Sequence, residues 1–362
     1  MIEINLLIAI LVPIFVVMKK KKKQLWMKAR LIQVSSIVVI AVIILGVLAG
    51  YHYSHKKFEG ETSWIIISEP SNEALKDSLI TKLGHDYGLR VYQMWYLMRG
   101  DILLSQGAYK VESGMTAFDL SRVLKNNHQT PVKVVFNNVR TIESLAKKIS
   151  RNMKFNEDEF LQACDEVLKI EGFAPQEYPS VFFPDTYEFY WTATPQTVVK
   201  RMLGYYNNFW DNQRKAKATE LGLTPIQVST IASIVEEETN KLDERPKVAR
   251  LYLNRLNIGM KLQADPTIKF ALGDFSLRRI MQEHLDVESP YNTYKNKGLP
   301  PGPIRIVSKK TLEYVLDAPQ HNYIYMCAKE DFSGYHNFAE DYAQHLANAR
   351  RYQAELNRRK IK

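Results

Sequence analysis

The sequence predicts an α+β protein with three parts: an N-terminal transmembrane helix, a small β-α-α-β unit, and a larger mixed α/β part carrying a glutamate on the apolar face of a helix. Three observations predict it. Leu31 to Tyr51 is a run of 21 residues without a charge, which at about 1.5 Å per residue matches a hydrocarbon core of about 30 Å. Short β-branched runs then alternate with stretches of helical periodicity as far as Phe136. Farther on, Thr224-Pro225 opens an amphipathic run that ends in Glu236, Glu237 and Glu238.

The anchor is the first element. Upstream of Leu31, the apolar segment Ile2 to Met18 carries Glu3 and Pro13; it reads either as a second span or as sequence preceding a start at Met27. Between the two apolar segments lies KKKKKQLWMKAR, and the positive-inside tendency places these cations in the cytoplasm. Everything after Tyr51 is then expected outside the plasma (inner) membrane. No small-residue cleavage pattern follows Gly50, so the anchor is expected to stay attached.

The formal net charge of +10 is concentrated in this region. Residues 1–60 hold nine Lys/Arg against Glu3 and Glu59, a local +7, which leaves about +3 for the rest. That balance gives no support to phosphate-backbone binding, and no nucleic-acid partner is expected. The two cysteines, Cys164 and Cys327, stand far apart with no metal-type spacing. They read as buried free thiols or as a single disulfide.

Boundaries are expected near 60 and 130. Residues 61–130 contain strands at Trp64–Ser68 and Ala108–Glu112 around helices at Asn72–Leu83 and Arg90–Met98, followed by a helix capped by Thr116 with Asp119 behind it. From 131 to 362, a strand at Val132–Phe136 precedes helices at Thr141–Arg151, Asn156–Ile170 and one long run from Thr194 to Gly222. Phe182 to Trp191 is an aromatic, loop-like stretch that reads as core before ligand platform.

The helix opened by Thr224 carries the chemistry. At 100° per residue, with Ile231 at zero, Val235 falls near 40°, Ile234 near −60° and Glu238 near −20°. Glu238 therefore shares the apolar stripe, whereas Glu236 and Glu237 are expected on the polar side. A carboxyl on an apolar face loses hydration of its charged form, so its pKa rises, as a general acid requires. A salt bridge to Arg245 or Arg255 is the alternative and would lower it. Downstream, Asn254, Arg255, Gln263, Asp265, Tyr291, Asn292 and Tyr294 lie in segments rich in amides, hydroxyls, Tyr and Pro. Such groups suit an uncharged polyol. No metal-ligand spacing and no glycine-rich phosphate motif occurs, so neither metal nor cofactor is expected.

Residues 232–273 (ASIVEEETNKLDERPKVARLYLNRLNIGMKLQADPTIKFALG) and 289–304 (SPYNTYKNKGLPPGPI), with FPDTY at 183–187 and GAYKV at 107–111, resemble the endolytic murein transglycosylase family, also called YceG-like or MltG. The resemblance covers nearly all of residues 31–362. It implies that the 61–130 unit is LysM-like and that 131–362 is catalytic, with Glu238 as the catalytic residue and Glu236 as the first acid of an E-x-E-T motif. It further implies cleavage of the MurNAc-GlcNAc β-1,4 bond in nascent peptidoglycan strands, leaving 1,6-anhydroMurNAc ends. Substrate contacts are expected from Glu236, Asn254, Arg255, Gln263, Asp265, Tyr291, Asn292, Tyr294 and His336, and membrane-bound peptidoglycan synthases are the expected partners. Two departures stand out: the Ile2–Met18 segment, and His336-Asn337-Phe338 where the family reads His-Thr-Phe. The rival readings are a hydrolase using Asp265 as second carboxylate, and a non-catalytic wall-binding scaffold.

Overall fold

The computed structural model describes residues 2–100 and 103–359 and divides the chain into two compact units, 1–130 and 131–362. In the first unit, α1 (Ile2–Ser54) is one helix. Its part from Val16 to Ser54 is long and apolar enough to cross a membrane, alone in this among the described residues. The side chains of residues 2–12, 14 and 15 lie outside the described part, and with them the choice between a second span and an upstream extension at 2–18.

After α1 come β1 (Ser63–Ile67), α2 (Asn72–Leu83), α3 (His85–Met98), β2 (Gly107–Val111) and α4 (Ala117–Lys125). β1 and β2 pair antiparallel, with Ile65 opposite Tyr109. Ser71 caps α2 by accepting from the Ala74 amide. α3 starts at His85, before the expected Arg90, because Tyr87, Val91 and Trp95 form a buried stripe from its first turn. The two helices pack backbone to backbone: a Cβ at Gly88 would lie 2.4 Å from the Leu79 carbonyl oxygen.

The second unit opens with β3 (Val132–Phe136), α5 (Ile142–Ser150) and α6 (Glu157–Leu168). A 3-10 turn at Pro175–Ser180 then leads to β4 (Asp185–Phe189). β4 pairs antiparallel with β3, placing Tyr187 opposite Val134, so the middle of the aromatic stretch, Asp185–Phe189, is a strand and not a loop. Tyr187 and Phe189 point inward while Glu188 is exposed, the period-2 pattern of a half-buried strand. The long run from Thr194 to Gly222 divides into α7 (Pro195–Phe209) and α8 (Asn212–Glu220). The break falls where Asp211 caps α8 by accepting from the Arg214 amide at 2.8 Å.

Next come α9 (Pro225–Glu238), α10 (Arg245–Asn257), α11 (Asp265–Leu272), α12 (Lys309–Leu316), the hairpin β5 (Tyr325–Ala328) and β6 (His336–Ala339), and α13 (Tyr342–Arg358). Thr224 and Gln227 close a capping box at the start of α9. α9 packs against α8, α10, α11, α12 and the 3-10 turn. Every residue from Val228 to Glu236 is consequently buried. Burying Ile231, Ile234 or Val235 contributes about 1.5–3 kcal/mol each. The GLPPGPI segment is held on α9 where the Ile304 amide donates to Ser233 Oγ at 3.0 Å. Its Gly302 presses on the 3-10 turn so closely that a Cβ would stand 2.0 Å from the Gln176 oxygen. Both cysteines are free; Cys164 is buried and Cys327 partly exposed.

Candidate active site

Glu238 occupies the last turn of α9, where Thr239 turns to extended backbone and ends the helix. The negative end of a helix dipole disfavours an anion there. Its Oε1 accepts a hydrogen bond of 2.6 Å from the hydroxyl of Tyr252, a buried residue of α10. Part of Glu238 remains open to solvent, as a group that exchanges protons with a ligand requires.

The surroundings nonetheless push its carboxyl from the usual 4.5 up to about 7: burial is the largest cause, and the charge of Asp265 adds to it. The Tyr252 hydrogen bond and the charges of His336 and Arg255 act in the opposite direction. Among the described residues Glu238 makes no ion pair. Arg245 bonds to the Thr239 carbonyl and to Thr311. Arg255 donates from Nε to the Ile324 carbonyl at 2.6 Å and to the Leu262 carbonyl.

Two supporting pairs flank Glu238. The Tyr294 hydroxyl donates to Asp265 Oδ1 at 2.5 Å. On the other flank, buried Glu244 accepts from both the His336 backbone amide and Nδ1, each at 2.8 Å. Burial opposes charge on His336, but its hydrogen bond to Glu244 and the charges of Glu244 and Glu238 outweigh this and raise its pKa. With Nδ1 committed to Glu244, Nε2 is the ring nitrogen left for other partners.

Five of the expected site residues thus interact by hydrogen bond or charge: Glu238, Arg255, Asp265, Tyr294 and His336. The others are engaged elsewhere. Glu236 is not on a solvated face; it is 8% exposed. Its Oε2 accepts from Thr311 at 2.5 Å and Ser308 Oγ at 2.9 Å, with Arg245 and Arg305 each 3.4 Å away. Glu237 is likewise drawn inward, gripped by Arg140 Nε and Nη2 at 3.0 and 2.9 Å and by Arg305 at 2.8 Å. The helical wheel puts these two carboxylates on a side expected to be solvated, but α12 and the segment carrying Arg305 cover that side of α9.

Asn254 directs its amide to the His321 and Tyr323 carbonyls. Asn292 donates to Leu285 and Val287 and accepts from the Tyr294 and Lys295 amides, which leaves it no free amide proton and makes it the brace of the loop bearing Tyr294. Tyr291 lies against Phe270 with ring centroids 4.6 Å apart. Gln263 is exposed, at a φ of 49°. Sequence reasoning missed Tyr252 and Glu244. Tyr252 sits in an apolar helical pattern that reads as core, and Glu244 meets His336 across 92 positions of chain.

The fold and this cluster define a mixed α+β protein in which the end of α9 presents one carboxylic acid whose pKa is raised to about 7. A model described as the YceG-like family matches residues 72–351, and the chain belongs to that family. An endolytic murein transglycosylase of Bacillus subtilis is 26% identical over 264 residues, covering 67% of this chain and 72% of the relative. One from Streptococcus pneumoniae R6 is 26% identical over 358 residues, covering 87% of this chain, which spans only 64% of that relative's length. The structure of a yceG-like protein from Listeria monocytogenes superposes with a TM-score of 0.51 at 23% identity, over 79% of this chain and 99% of that one, a likeness of fold.

Proposed function

We propose that this chain is a lytic transglycosylase that cuts the MurNAc-GlcNAc β-1,4 bond within peptidoglycan strands, with Glu238 as both acid and base. The relatives named endolytic murein transglycosylases support the activity. The observation that carries the mechanism is the Glu238 carboxyl raised to about 7 beside a hydroxyl donor. Two-carboxylate glycosidases divide the acid and base roles between residues. A single group that does both works best when its pKa lies near the working pH.

In the proposed reaction neutral Glu238 gives its proton to the glycosidic oxygen as the C1–O bond breaks. The carboxylate so formed, supported by the Tyr252 hydroxyl, takes the proton of the MurNAc C6 hydroxyl as that oxygen bonds to C1. The product carries a 1,6-anhydroMurNAc end and no water is consumed. Arg255, Asp265, Tyr294 and His336 surround the reacting groups, while Glu236, Asn254, Asn292 and Tyr291 hold the frame and Gln263 lies at its edge. α1 would keep residues 131–362 on the outer face of the plasma membrane, near membrane-bound synthases. In this reading the 61–130 unit is LysM-like.

Because Asp265 acts electrostatically on Glu238, a hydrolase in which Asp265 activates water is the second reading. Mass spectrometry of strand ends separates them. Anhydro ends are expected; products heavier by one water would establish the hydrolase.

The Tyr252 hydrogen bond favours the ionised carboxyl, so Tyr252→Phe is expected to raise the Glu238 pKa further. Activity needs the protonated form at the first step and falls as pH rises through that pKa. The variant's alkaline limb should therefore move to higher pH while its maximal rate drops. An unmoved limb would remove Tyr252 from control of the acid.

A further inference from the structure

We propose that the C-terminal end of α3 is a membrane-interface contact: Tyr96 and Leu97, backed by Arg99, enter the headgroup region of the leaflet from which α1 emerges. This rests on the reading of α1 as a span. The C-terminal end of α1 meets α3, with later residues of α3 reaching earlier residues of α1. The Arg90 guanidinium lies 4.4 Å over the Tyr53 ring, and the Tyr53 hydroxyl meets Gln93. One turn back along α1, Gly50 forms with Tyr53, Tyr92, Met94, Tyr96 and Leu97 a cleft whose surface is nearly all apolar.

Gly50 belongs to the uncharged run Leu31–Tyr51. Leu97 is therefore level with the outer end of the span, and α3 points toward the bilayer. At that end Leu97 is 83% exposed and Tyr96 49%. A single exposed apolar residue needs no explanation. Here they gather at one helix end, at the depth of the membrane surface. The Arg99 guanidinium sits 4.6 Å over the Tyr96 ring and 5.4 Å over Trp95. Tyrosine with a neighbouring cation suits the boundary between acyl chains and anionic headgroups. His85, 12 residues earlier on α3, stands about 18 Å farther out. The contact would fix the tilt of the first unit on its anchor and not leave it to swing on a single helix.

The test uses the full chain carrying Cys327→Ala, since Cys164 is buried, with an environment-sensitive fluorophore at Leu97→Cys, His85→Cys or Val38→Cys. Each is reconstituted in phosphatidylglycerol–phosphatidylethanolamine vesicles containing nitroxide-labelled lipid. The probes at positions 38 and 97 are expected to be quenched several-fold more than the probe at 85, with blue-shifted emission at 97. Quenching at 38 with an aqueous, unquenched probe at 97 overturns the inference and leaves the span standing. An unquenched probe at 38 removes the span and the inference together.

Discussion

Glu238→Gln is expected to lower strand cleavage by about 10²–10⁴-fold, the range for loss of a positioned general acid. The amide keeps the shape and can still accept from Tyr252, but it has no proton to give and cannot take one from the C6 hydroxyl. Stability should change in the opposite sense. The folded-state pKa of Glu238 is raised, so the folded chain holds this proton more tightly than the unfolded one. The stability this confers is complete below the unfolded value of 4.5 and is lost as pH rises through about 7. At pH 8 the wild type carries a half-buried anion and the variant does not. Glu238→Gln should melt at or above the wild-type temperature at pH 8, with the difference shrinking or reversing near pH 5. Full cleavage by a folded Glu238→Gln protein would end the one-carboxylate mechanism, and no cleavage by the wild type itself would favour the wall-binding scaffold.

Much of this was legible because short-range rules govern it. Thr116, Thr141, Asn156, Thr194 and Thr224 all cap helices by accepting an amide three residues on, as their positions before apolar runs imply. The angle sets Glu238 apart from Glu236 and Glu237 but leaves a salt bridge to Arg245 or Arg255 open; the structure shows the raised pKa instead. The break at Asp211 carried the same kind of signal, but the continuous helical pattern on either side masked it. β4 showed strand alternation in Thr186, Tyr187, Glu188 and Phe189, which the density of aromatics obscured. What periodicity could not reveal was that α9 is enclosed on every side from Val228 to Glu236. A wheel sorts polar from apolar faces; whether guanidinium groups cover the polar face depends on chain about 70 positions downstream at Arg305 and about 97 upstream at Arg140. The Glu244–His336 pair was hidden for the same reason.

That enclosed polar face gives the largest expected effect on stability. Arg305 is 8% exposed and bridges Glu237 at 2.8 Å, Glu236 at 3.4 Å and Asn138 at 3.1 Å. Removing one partner of a buried ion pair costs about 3–5 kcal/mol, because the other charge remains without compensation. Arg305→Ala would leave Glu237 with Arg140, and Glu236 with Arg245 and the Ser308 and Thr311 hydroxyls. The lower end of that range, about 3 kcal/mol, is therefore expected. In a unit of this size it corresponds to a fall of about 6–12 °C in the melting temperature. Arg305→Lys retains a charge but not the planar fork that reaches two carboxylates and an amide together, and should recover only part of the loss. Added salt should change the deficit little, since buried pairs are weakly screened. Because Glu236 and Glu237 tie down the turn of α9 that presents Glu238, activity should fall in Arg305→Ala as well, but with the pH limb in place. A melting temperature within about 2 °C of wild type would show that the cluster is replaceable by packing. An altered pH limb in a normally stable protein would show instead that Arg305 acts on the proton of Glu238 directly.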